Sequence, residues 1–207
     1  MQNYEHLRGE LLTLLKARSV FHGDFTLASG GKSKYYVDCK LTTLDPQGAW
    51  LTGRVVRDVI RREESKQGIS IDAIGGLTMG ADPIAIATGM ISQWAKDKRV
   101  LQVFSVRKTP KSHGQTKLVE GNFKKGDTVV VIDDVITRGE STLAAISAIE
   151  KEGGKIAFIV ALVDREEGGR KAIEERGHRV LSVFNRAELF GQSESPASQK
   201  RDSALVG

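Results

Sequence analysis

Apolar residues near the start of the chain recur at helical spacing. Leu7, Leu11, Leu12, Leu14 and Leu15 stand between charged neighbours, which predicts an amphipathic helix over residues 3–18. A second helix is predicted over 47–64, where Leu51, Val55 and Val59 form a stripe with Val56 and Ile60 beside it, and Arg54, Arg57, Asp58 and Arg61 lie off it. Asp45 and Pro46 mark its start: an acceptor side chain, then a residue whose φ is already helical. From residue 71 the pattern changes. Apolar runs at 71–74, 100–106, 128–132, 156–163 and 180–184 predict strands, and the segments 81–96, 141–152 and 168–176 predict helices among them. Continuous β-branched runs such as Val129, Val130, Val131 and Ile132 suit strands covered on both faces of a parallel sheet. The alternation predicts an α/β fold, a mostly parallel sheet flanked by helices. Residues 1–45 read as a small N-terminal elaboration of a single domain over 1–190, and 191–207, rich in Ser, Gln and charge, as a mobile tail.

Composition narrows the class only a little. With 40% apolar and 28% charged residues, the 207-residue chain matches ordinary globular proteins. Its single cysteine, Cys39, allows no internal disulfide, and Glu5, Glu10, Lys16 and Arg18 interrupt any leader-like apolar stretch, so the expected compartment is the reducing cytoplasm. The longest apolar run, 156–163, is under half of the roughly 18 residues that cross a bilayer, and no membrane partner is expected. The formal charge of +5 fits nucleic acid or a small polyanionic substrate equally well. His6, His22 and His178 show no metal-ligand spacing with Cys39 or one another.

The strongest chemical signal is the run Val129-Val130-Val131-Ile132-Asp133-Asp134-Val135-Ile136-Thr137-Arg138-Gly139-Glu140-Ser141-Thr142. A buried strand delivers two carboxylates to its C-terminal edge, where open α/β sheets bind ligands, and a short loop then opens a helix. Backbone amides of 137–142 at that helix N-terminus suit a phosphate, and the strand-end carboxylates suit sugar hydroxyls. Together they point to a phosphorylated sugar. The plainer alternative is a solvated strand end with Ser141 as an ordinary helix cap. The spacing fits neither a Walker loop nor a dinucleotide fingerprint. A second stretch, 107–117, carries Arg107, Lys108, Lys111, His113 and Lys117 with Pro110 and Gly114 and no acid, which reads as a flexible basic loop. It can be a lid over an anionic leaving group, a solvated loop, or an RNA contact.

The acid-pair run closely resembles the phosphoribosyl-diphosphate (PRPP) motif of the type I phosphoribosyltransferases. Further stretches narrow the resemblance to the orotate-using branch of that family. Phe25-Thr26-Leu27-Ala28-Ser29-Gly30 with Ser33-Lys34-Tyr35-Tyr36-Val37-Asp38 resembles its N-terminal hood, and Gly75-Gly76-Leu77-Thr78-Met79-Gly80-Ala81-Asp82-Pro83 its loop near the diphosphate. Val106-Arg107-Lys108-Thr109-Pro110-Lys111-Ser112-His113-Gly114 resembles its catalytic loop, and Leu162-Val163-Asp164-Arg165-Glu166 the segment meeting the orotate carboxylate.

The resemblance implies the type I phosphoribosyltransferase fold with a small hood, and transfer of a phosphoribosyl group from PRPP to orotate. It implies that Arg107, Lys108, Lys111 and His113 act on the diphosphate, Lys111 foremost. Asp133, Asp134, Val135, Ile136, Thr137, Arg138, Gly139, Glu140 and Ser141 would hold the donor, and Thr137 and Arg165 the orotate. Mg2+ is implied as cofactor, held mainly through substrate and water, together with a homodimer that shares the catalytic loop across its interface. No nucleic-acid partner is then expected. Arg165 alone reads equally as a salt bridge among Asp164, Glu166 and Glu167, and Asp82-Pro83 as a helix start. Of Tyr35 and Tyr36, one is expected in the core. The sequence departs from the family pattern at Arg138 and Glu140, and Ala28 and Gly80 stand where some branches carry lysine. A purine acceptor, or a regulator that keeps the sugar site and binds nucleic acid, are the competing functions.

Overall fold

Leu7, Leu11 and Leu15, one helical turn apart, are all fully buried, and around them forms α1 (Tyr4–Arg18). In this computed structural model residues 4–26, 32–109 and 117–191 are described. An antiparallel pair, β1 (Val20–Thr26) and β2 (Lys32–Val37), and a single turn, α2 (Lys40–Thr43), complete the N-terminal elaboration. The long α3 (Pro46–Gln67) follows, its start fixed by Asp45, whose side chain accepts from the Gly48 amide at 3.0 Å, and its end by Gly68 in the left-handed region at φ 67°.

Strands and helices then alternate as β3 (Ala73–Leu77), α4 (Ala81–Gln93), β4 (Gln102–Val106), β5 (Val119–Gly121), β6 (Thr128–Ile136), α5 (Glu140–Lys151), β7 (Lys155–Asp164), α6 (Gly169–Glu174), β8 (Val180–Asn185) and α7 (Arg186–Phe190). Six strands make one sheet in the order β5-β4-β3-β6-β7-β8, parallel throughout except for β5 at the edge. The expected mostly parallel α/β sheet is therefore present. Its two faces carry separate apolar clusters. Val130 and Ile132 of β6 pack with α1, α3 and α4, whereas Val129 and Val131 pack with α5.

Differences from the sequence reading have local causes. β3 was expected to stop at residue 74 but runs through Gly75 and Gly76. A Cβ on Gly75 would lie 2.1 Å from the Phe104 carbonyl oxygen, and one on Gly76 2.0 Å from that of Ile132, so these glycines let neighbouring strands close in rather than break the strand. β6 likewise extends past residue 132 to take in both aspartates. α4 ends at Gln93 rather than 96 because the buried Ser92 hydroxyl accepts the Leu101 amide at 2.9 Å and turns the chain. The edge strand β5 and the short α2 and α7 were not anticipated. Most of the tail expected over 191–207 lies outside the described residues.

Two glycines separate packing from propensity. Gly76→Ala is expected to destabilise by about 3 kcal/mol, since overpacking here meets backbone. Gly9→Ala, exposed on α1 with nothing within 4 Å of its added methyl, is expected to stabilise by about 0.5–1 kcal/mol. Urea denaturation of both variants checks this, and equal effects would contradict it.

Candidate active site

The packing along β6 shows how its carboxylates are placed. Odd positions 129 and 131 face α5 and even positions 130 and 132 face α4, but the alternation reverses past the aspartates, where Val135 packs on the α4 side and Ile136 on the α5 side, and the two carboxyls lie within hydrogen-bonding reach of each other. Asp133 turns to α5. It is only 8% exposed, and its Oδ2 accepts from Thr142 Oγ1 at 2.5 Å and Ser141 Oγ at 3.1 Å. Burial is the largest influence on this carboxyl; with the charge of Asp134 it outweighs the two hydroxyl donors and lifts the pKa from 3.8 to about 6. Asp134 turns to the start of α4, where a Cβ on Gly80 would lie 2.2 Å from its Oδ1. Any side chain at position 80 would displace this carboxylate, which accounts for the glycine there.

The loop before α4 is braced from behind. The Asp82 carboxylate accepts from Thr78 Oγ1 at 2.5 Å and from Ser105 Oγ of β4 at 2.6 Å, and the Thr78 amide donates to the Val106 carbonyl. Asp82 thus does more than begin a helix. A cavity of about 320 Å³ opens at this strand end, walled by the acid pair, Val135 and Ser141, by the 77–80 loop, and by Lys40 and Lys108. A neighbouring cavity of about 400 Å³ shares Leu77, Lys108 and Ser141 and adds Arg107 and Glu140. Gly139, at φ 80°, caps α5 without a side-chain hydrogen bond, which leaves its first-turn amides to an outside acceptor.

The remaining residues singled out by sequence sit as follows. Ile136 is fully buried and its carbonyl accepts the Arg165 amide at 3.0 Å, which sets Arg165 beside Thr137. The salt bridge expected at Arg165 forms with Glu167, but at 6% exposure the arginine end of it is buried rather than on the surface. Its Nη2 lies 2.6 Å from Glu167, its guanidinium 5.2 Å from the Tyr35 ring centroid, and its buried Nε has no partner among the described residues. Asp164 instead pairs with Arg170. Tyr35 is the tyrosine in the core, with its ring 3.9 Å from that of Phe190, while Tyr36 is exposed beside Phe21 and Phe25. Arg107 lies 3.6 Å from Glu120 on β5, and Arg138 is exposed. Lys111 and His113, and hood residues 27–31, lie outside the described residues. Burial pushes the Cys39 thiol well up from 9.0, and it stays protonated. Sequence reasoning missed Lys40 and Arg186, whose guanidinium is 5.0 Å from the Tyr35 ring; neither belongs to a periodic pattern, and only the fold brings them near the site.

Residues 52–194 match the family model for the phosphoribosyl transferase domain. Orotate phosphoribosyltransferase of Aquifex aeolicus is 41% identical over 88% of this chain and 97% of its own. The chain belongs to the orotate phosphoribosyltransferase family. The Rhodopirellula baltica member of that family is 40% identical over 81% of this chain and 86% of its own. Among solved structures, Mycobacterium tuberculosis orotate phosphoribosyltransferase with Fe(III) dicitrate aligns at TM-score 0.75 with 38% identity, covering 89% of this chain and 99% of that one. The same enzyme in complex with PRPP aligns at 0.71 with 35% identity, covering 88% and 98%. The expected type I phosphoribosyltransferase fold is the one observed. Adenine phosphoribosyltransferase of Saccharomyces cerevisiae, at 18% identity and TM-score 0.61, shares the fold alone.

The raised pKa of Asp133 has a definite sign. A carboxyl whose folded pKa exceeds the unfolded value is destabilising once ionised, so its penalty is absent below 3.8 and grows as pH rises to about 6. Relative to Asp133→Asn, the parent should lose on the order of 2 kcal/mol of stability between pH 4 and 7. Urea denaturation across that range measures it, and a pH-independent difference would contradict the burial argument.

Proposed function

We propose that this chain transfers the 5-phosphoribosyl group from PRPP to orotate, releasing diphosphate and forming orotidine 5'-monophosphate in pyrimidine synthesis. The observation that carries the reading is the acid pair at the end of β6, next to the first turn of α5 that no side chain caps, in a chain of the orotate phosphoribosyltransferase family. Ribose hydroxyls donate to Asp133 and Asp134. The 5'-phosphate lies on the amides of residues 137–142, where the helix dipole and free N–H groups favour an anion. Ile136, fixed in the core, serves this loop through its backbone, and the exposed side chains of Arg138 and Glu140 leave the amides open. The diphosphate faces the 78–80 loop and Lys108, and Arg107, Lys111 and His113 close over it as a lid.

Breaking the anomeric bond builds oxocarbenium character on the ribose and negative charge on the leaving group, so the barrier falls as those charges are stabilised where they form. Arg165 grips the orotate carboxylate beside Thr137, and its unpartnered buried Nε supports this assignment. Mg2+, where bound, would supply positive charge against the leaving diphosphate. Among the described residues no three His, Cys, Asp or Glu side chains gather into a metal cage, so the ion would be held mainly through substrate and water, with the half-buried Asp134 as the protein carboxylate that would face it. Residues 1–190 act as one catalytic unit in the cytoplasm, and no helix among the described residues is long and apolar enough to cross a membrane.

The working form is a homodimer whose lid reaches the partner's site. Ile86 and Met90 on α4 and Trp94 at its C-cap recur every four residues and are 52%, 53% and 77% exposed. Trp50, one turn before Gly53 backs onto Ala87, is exposed as well. Such a stripe fits a second copy of the chain.

Three outcomes test the reading. Orotate absorbance should fall only when PRPP and magnesium are both present, with orotidine monophosphate formed; consumption of a purine base in its place would refute the acceptor. Lys111→Ala should lower kcat by roughly 10²–10³-fold with the circular dichroism spectrum unchanged, and undiminished turnover would refute its role. Met90→Asp with Trp94→Asp should sediment as a folded monomer with little turnover; a dimer of full activity would place the interface elsewhere.

A further inference from the structure

The cavity at the acid pair has one wall that the family motifs do not name. Lys40 lines it from the N-terminal elaboration. Its backbone is fixed: it is the first residue of α2, between the buried Cys39 and the buried Thr42 and Thr43, and Thr42 shares a 2.7 Å hydroxyl contact with the buried Ser19. Its side chain is also held, because Asp38 Oδ1 accepts both the Lys40 ammonium at 2.7 Å and the Lys40 amide at 3.1 Å.

An ammonium has three N–H donors, and one contact with Asp38 leaves others for a ligand. The charge balance of the cavity calls for such a ligand. Its described walls carry two carboxylates, Asp133 and Asp134, and two cations, Lys40 and Lys108. Lys108 is exposed at the base of the lid segment, whereas Lys40 stands on fixed structure across from Asp134. A polyanionic donor entering beside two carboxylates needs a positive charge in place before any lid closes.

We propose that Lys40 is a substrate-binding residue whose ammonium takes the diphosphate of the phosphoribosyl donor, with Asp38 as its positioning residue. This rests on the reading that the cavity holds PRPP. Lys40 supplies a positive charge that is in place before the donor arrives.

Calorimetric titration of the full chain, with magnesium, tests the assignment using PRPP, inorganic diphosphate and ribose 5-phosphate as separate probes. Lys40→Met should weaken PRPP and diphosphate by at least about tenfold, raise the KM for PRPP, and leave ribose 5-phosphate affinity and the KM for orotate within about twofold. Lys40→Arg should restore most of the loss, and Asp38→Asn should weaken diphosphate by a smaller factor at unchanged melting temperature. Equal loss on diphosphate and ribose 5-phosphate, or parent-like affinity in Lys40→Met, would overturn the proposal. Failure of the parent itself to bind PRPP would instead overturn the reading on which it rests.

Discussion

A carboxyl buried at the end of β6 has to be satisfied within the fold, and the rest of the site follows from that. Asp133 is carried into the α5 side of the sheet, where burial would disfavour its charge by several kcal/mol were it unpartnered. The Thr142 and Ser141 hydroxyls offset part of this. Those two hydroxyls lie in the first turn of α5, so the bond that satisfies the acid also fixes the helix N-terminus beside the strand end. Asp134, its carboxyl within reach of that of Asp133, rests on Gly80, which fixes the second loop against the same strand. The acid pair thus brings the first turn of α5 and the 78–80 loop to one edge, where the proposed ribose, phosphate and diphosphate contacts would meet.

Around this centre the polar groups are held by pairs that leave capacity to spare. Asp82 locks the 78–80 loop to β4 through two hydroxyls. Arg165 spends one nitrogen on Glu167 and stacks by Tyr35, yet keeps a buried Nε unpartnered, and Lys40 is tethered to Asp38 while facing the cavity. Groups pre-set in this manner lose little freedom when substrate arrives, which is the condition for stabilising charge in the transition state rather than merely binding the ground state.

Much of this was legible before any coordinates. The β-branched run at 128–132, the acid pair and the loop into α5 are contiguous, so local pattern sufficed to find them. The helices over Leu7 to Leu15 and Leu51 to Ile60 were readable from spacing for the same reason. What could not be read depends on contacts distant in sequence. Gly75 and Gly76 look like a break until Phe104 and Ile132 are seen pressing on them. Asp133 looks like a solvated strand end until α5 covers it. Lys40 and Arg186 carry no motif, and they matter only because α2 and α7 fold back toward the sheet edge and the hood strand. The salt bridge expected at Arg165 is present with Glu167, but its burial could not be read, because exposure is a tertiary property.

The central claim is that the acid pair at the end of β6 holds the donor's ribose. Titrating PRPP with magnesium calorimetrically into the parent and into an Asp133→Asn, Asp134→Asn double variant of matching circular dichroism tests it most directly. Loss of two charge-assisted hydrogen-bond sets should weaken PRPP by about 100-fold or more. Equal affinity in the two proteins would contradict the account.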